Sequence, residues 1–113
     1  MSASPFDHAL ARLRPVLLAH RFRLDTVDRA VASGGVSTAE YFRDGLRLRL
    51  VYEGKERALW MESARQAGAQ VISRWTDIEW ILADGRLPLD TDLGEERLER
   101  LTEAVGRFLA RPG

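Results

Sequence analysis

The chain has no cysteine, which excludes disulfides and thiolate chemistry. It has two histidines, His8 and His20, twelve residues apart. On a helix that spacing is about 120° of rotation, so the two do not share a face and make no metal or acid–base pair. No apolar run approaches the ~20 residues that span a bilayer. The opening MSASP lacks the basic and apolar regions of a secretory leader. No charge of one sign dominates, since 17 basic residues balance 17 acidic ones. That balance argues against bulk attraction to nucleic acid or to an anionic membrane. Gly34-Gly35 is followed by no GK[ST], so it is not a phosphate loop. Ser33, Ser37 and Ser63 have no histidine placed near them by any pattern. These absences set the expectation of a cytoplasmic protein that is not an enzyme, with no cofactor and no metal site, binding neither nucleic acid nor membrane.

At 113 residues the chain is read as a single domain over 1–113. A chain of that length buries roughly two-thirds of its unfolded surface, enough for one core without covalent staples. Sixteen of the basic residues are arginine. We read that bias as the codon usage of a GC-rich genome, not as evidence of phosphate binding.

What is present is organised around 41–63, YFRDGLRLRLVYEGKERALWMES. Asp44-Gly45 between two alternating runs predicts a two-residue type I′ hairpin. Arg43 then faces Leu46, Phe42 faces Arg47, Tyr41 faces Leu48, Glu40 faces Arg49 and Ala39 faces Leu50. Gly54-Lys55 predicts a second two-residue turn, of type II′. It sets Leu50 against Leu59, Arg49 against Trp60 and Arg47 against Glu62, and leaves Glu53 facing Glu56. One face then holds Ala39, Tyr41, Leu46, Leu48, Leu50, Tyr52, Leu59 and Met61. The other mixes Thr38, Glu40, Phe42, Arg47, Arg49, Val51, Ala58, Trp60 and Glu62. A one-residue slip at either turn would mix the two sets.

Around this meander, Ser4-Pro5-Phe6-Asp7 starts a helix. Phe6, Ala9, Leu10, Leu13, Val16 and Leu17 form its stripe, and Pro15 predicts a kink or a break near 12–14. Residues 22–32 read as a strand with a bulge near Thr26, with a short helix from Asp25 as the competitor. Gly34-Gly35 turns the chain into the strand 36–43; strands 46–53 and 56–63 follow. Residues 64–70 read as a loop or a turn of helix, and 70–75 as a fifth strand. Thr76-Asp77-Ile78-Glu79 reads as a capping box with Thr76 as N-cap. Trp75 and Trp80 are its staple pair, and Gly85 closes a short helix. A connector, 86–94, leads to a last helix over 95–110, with Leu98, Leu101, Val105, Phe108 and Leu109 as its stripe and Pro112 beyond it.

The expected fold class is α+β: a two-layer sandwich of a four- to five-stranded antiparallel meander with N- and C-terminal helices on one face. Its size and layering are similar to those of small bacterial domains such as immunity proteins of toxin systems and secretion chaperones. The similarity is one of architecture, carries no shared motif, and assigns no family.

One constellation stands out as a candidate site. Arg47, Arg49, Trp60, Phe42, Glu40 and Glu62 share the mixed face and combine guanidinium forks with aromatic plates. The expected function is a protein-interaction domain, with another protein or a second copy of the chain as partner. The alternative is a small-ligand or anion site at Arg47, Arg49 and Trp60. The plain structural reading is a solvated sheet face laced by cross-strand ion pairs. The acidic residues of 95–103 read as a solvated helix face, and Asp84, Asp90 and Asp92 as loop residues without metal-ligand spacing.

Overall fold

The computed structural model describes residues 4–29, 35–83 and 94–111. Its elements run α1 (Pro5–Ala19), β1 (Arg23–Asp28), β2 (Val36–Arg43), β3 (Leu46–Glu53), β4 (Ala58–Ala67), β5 (Gln70–Val71), β6 (Thr76–Asp77), α2 (Ile78–Leu82) and α3 (Glu95–Leu109). The fold is α+β. An antiparallel meander runs in the order β1-β2-β3-β4-β5, the short β6 also pairs with β4, and helices pack on one face. Gly34 of the expected Gly34-Gly35 turn, the helix end at Gly85, residues 86–93 of the connector, Asp84, Asp90, Asp92 and Pro112 lie outside the described residues.

The first hairpin has the register that its two-residue loop predicts, from Arg43↔Leu46 to Ala39↔Leu50. The turn type differs: only Gly45 takes a left-handed φ, +80°, and Asp44 does not. That is the φ pattern of a type II turn, not of type I′. The second loop is longer than expected. It spans four residues, Gly54 to Arg57, with Arg57 at φ +53°. Glu53 therefore pairs with Ala58, Val51 with Trp60, Arg49 with Glu62 and Arg47 with Ala64. The expected pairs Arg49/Trp60 and Arg47/Glu62 are displaced by two residues. A slip of two keeps every side chain on its face, because the strand period is two. The longer loop also removes the like-charged Glu53/Glu56 pair. β4 in consequence runs on to Ala67, through residues read as a loop, and Gly68 at φ +61° turns it into β5.

β1 is the strand expected at 22–32, and its register against β2 shifts between Leu24 and Thr26. Asp25 is the extra, bulged residue. Ahead of it, α1 is continuous through Pro15, so the break there does not occur. Ser4 caps the helix, its Oγ accepting from the Asp7 backbone N–H at 3.2 Å. α3 matches its expected span, with Glu95 and Glu96 in the first turn and Arg107 in the last, the favourable polarity against the helix dipole.

The core lies between the helices and the predicted inner face. Phe6, Ala9, Leu13 and Leu17 of α1 and Leu98, Leu101, Val105 and Leu109 of α3 pack with Ala39, Tyr41, Leu48, Leu50, Leu59, Met61 and Ile78. Arg97 sits among them, only 7% exposed. Its two Nη atoms donate to both Glu79 carboxylate oxygens at 2.8 and 2.6 Å, and Nη2 also donates to the Leu59 carbonyl at 2.6 Å. This one side chain ties α3 to α2 and to β4. It also engages Glu79, which therefore does not close a capping box. The N-cap is Asp77, not Thr76, and Asp77 Oδ1 accepts from the backbone N–H of Glu79 and Trp80. Burial raises the Asp77 carboxyl pKa against the pull of those two donors.

A buried ion pair is strongly destabilising to break and cheap to replace whole. In urea unfolding, Arg97→Ala should lose about 3–5 kcal/mol by stranding the Glu79 carboxylate. Arg97→Met combined with Glu79→Leu should recover most of that loss. A second test is alkaline. Burial pushes the Tyr41 phenol up to about 12, against about 10 in an unfolded chain. The neutral phenol is the folded form, so its contribution is complete below pH ~10 and is lost as pH rises towards 12. Stability should fall there by up to about 1.4 kcal/mol per pH unit more in wild type than in Tyr41→Phe, as read by urea unfolding at stepped pH.

Candidate functional site

The mixed face is built from alternate residues of β2, β3 and β4, and the helices that form the core pack on the opposite face. Its arginines are divided between neighbouring strands. Arg47 Nε donates to Glu40 Oε1 at 2.7 Å, its Nη2 bonds the Asp25 carboxylate, and its Nη1 reaches Gln66 Oε1 at 3.5 Å. Glu40 lies directly opposite Arg49 but accepts from the diagonal Arg47 instead. Arg49 turns the other way. Its Nε and Nη2 reach Glu62 Oε1 at 2.9 and 2.7 Å. β3 is thus stitched to β2, β1 and β4 by Arg47 and to β4 alone by Arg49. The Glu40 hydrogen bond, followed by that of Asp25, raises the Arg47 pKa further, so this guanidinium stays charged at any working pH.

The bulge explains the Asp25 contact. An extra residue in β1 re-aims the chain locally, and Asp25 is the residue left over from the ladder with β2. The aromatic part of the face also differs from expectation. Trp75 is not half of a helix staple. Its ring lies over the Arg49 guanidinium, 4.2 Å from centroid to Cζ. Trp80, the other half of that expected pair, is 46% exposed. Trp75 gets there because β6 joins the edge of β4 through Glu62↔Asp77 and Ser63↔Thr76. One step further along that register, Trp75 is set across from Ala64, which is buried.

All six expected site residues therefore lie on one surface. Glu40, Phe42, Arg47, Arg49, Trp60 and Glu62 are all partly exposed. The structure adds Asp25, Gln66 and Trp75. Asp25 is invisible until the bulge is placed, and Trp75 is masked by a plausible capping signal. Gln66 falls in the stretch read as a loop. Two arginines against Asp25, Glu40 and Glu62 leave this network with one net negative charge. His8 and His20 lie on α1 and at its C-terminal cap, away from the face. Among the described residues no group of three His, Asp or Glu is arranged to hold a metal ion, and no helix is long and apolar enough to cross a membrane.

No family model, no curated protein and no solved structure matches this chain.

The stacked pair gives a direct test. A double-mutant cycle of Trp75→Leu and Arg49→Met, read by urea unfolding, should return a coupling of about 0.5–2 kcal/mol. A coupling indistinguishable from zero would mean that Trp75 merely lies near Arg49.

Proposed function

We propose that this protein acts in the cytoplasm as a non-enzymatic protein-interaction domain, and that the mixed face recognises its partner. The observation that carries the reading is the state of the face. Arg47, Arg49, Glu40 and Glu62 are held rigid by mutual pairing, while Phe42, Trp60 and Trp75 remain partly exposed between them. Pre-ordered aromatic plates framed by satisfied charges suit a protein surface, because little side-chain entropy is lost on contact. The residual negative charge favours a partner whose apolar patch carries basic residues. It disfavours two copies laid face to face, which would set like charge against like.

The anion-site alternative has less support. It needs an open guanidinium fork, and Arg47 already reaches Glu40, Asp25 and Gln66 while Arg49 holds Glu62 beneath Trp75. Catalysis would need convergent polar groups with a proton donor in one cleft, and the charged groups on this face are spent on one another.

The reading is tested by placing a photo-reactive amino acid at position 42 or 60, and at 57 or 103 as exposed controls, in cells that make the protein. The expected result is one discrete adduct from 42 and 60, of the same mass, and none from the controls. No adduct from the face, or adducts shared equally with the controls, overturns it. An adduct that forms with the purified protein alone, at twice the chain mass, assigns the face to self-association instead.

A further inference from the structure

β1 ends the sheet. Among the described residues no strand pairs with its outer edge, and all six of its residues are exposed. An uncovered edge of this kind is a template for another strand. Beside it, between α1 and β1, runs a groove of about 560 Å³ whose lining includes Leu18, Phe22, Leu24 and Val27. Leu18 is 57% exposed, Leu24 52% and Val27 38%. Three of the large apolar side chains that this protein leaves open to water therefore lie along one edge.

The residues of β1 also read against themselves. Arg23, Leu24, Thr26, Val27 and Asp28 are the ones that pair with β2. Leu24 and Val27 face the helix side, opposite Tyr41 and Ala39. Arg23, Thr26 and Asp28 face the mixed side, opposite Phe42, Glu40 and Thr38. Laid antiparallel on a second β1 about a two-fold axis at Thr26, Arg23 meets Asp28 of the other copy, Leu24 meets Val27, and Thr26 meets Thr26. Each cross-strand pair is of a favourable type: opposite charge, apolar or Thr–Thr. The bulge makes this possible. Without it Leu24 and Val27, three apart, would point to opposite faces. A perpendicular two-fold, which preserves faces, could then not bring them together. The extra residue, Asp25, does not disturb the seam electrostatically because Arg47 holds its carboxylate.

We infer that β1 is the seam of a homodimer, in which two meanders join edge to edge into one continuous sheet and Leu18, Leu24 and Val27 of both copies close over the axis. The inference is independent of the reading of the mixed face, which such a dimer leaves open and sets side by side with its twin.

The test is a charge swap read by sedimentation equilibrium, with circular dichroism to confirm folding. Wild type should be a dimer. Arg23→Asp alone and Asp28→Arg alone each create two like-charged pairs per dimer and should weaken association by about tenfold or more. Mixing the two variants should restore a dimer holding one copy of each, and so should combining both substitutions in one chain. Trp60→Glu should leave the dimer intact. A monomeric wild type overturns the inference, as does a dimer indifferent to both single swaps or a mixture of the variants that stays monomeric.

Discussion

The two-residue period of β3 is the constraint on which the rest depends. This central strand is paired along its whole length on both sides. Its alternation assigns Leu48 and Leu50 to the helices and Arg47 and Arg49 to the outer face, and its neighbours inherit that division. The loops around it are free to vary only in steps that respect parity. The four-residue turn at 54–57 is such a step: it changes every partner and no face.

The same constraint explains what is legible in the sequence and what is not. The position and length of the 44–45 loop and both face sets are legible, because they follow from turn residues and alternation within a few residues; the turn type is not, since Asp44 does not take the positive φ that Asp-Gly suggests. The length of the second loop is not, since Gly54 suits a two-residue turn and either length satisfies the hydrophobic pattern. The like-charged Glu53/Glu56 pair is the one local sign against the shorter loop. Arg97 shows a different limit. It sits four residues before Leu101 on the buried stripe, and no periodicity announces that Glu79, 18 positions earlier, waits to receive it. Trp75 illustrates a third limit. A local capping motif and a tertiary stacking contact compete for the same residues, and the tertiary contact wins because Arg49 offers the ring a cation held in place by Glu62.

Arginine carries three separate tasks here, and its planar fork suits each. Arg97 bridges layers through a carboxylate and a backbone carbonyl. Arg47 and Arg49 tie strands laterally on the outer face. Arg43 lies over the Phe22 ring at 4.8 Å and donates to the His20 carbonyl, fastening the end of α1 to β2. Lysine, a point charge without the fork, would satisfy none of these pairings in two directions at once. The abundance of arginine, unremarkable as composition, becomes structural at these positions.

The pairing of α1 with α3 has a kinetic consequence. Each ladder of the meander closes between strands that adjoin in sequence, whereas the two helices meet across the length of the chain, with Arg12 of α1 bonded to Glu95 of α3 over a separation of 83 residues. Contacts of that separation cost the most loop-closure entropy, and by raising the mean sequence separation of contacts they slow folding. Without α3 the apolar face of the sheet is left partly bare, so the core is complete only when both ends of the chain are in place.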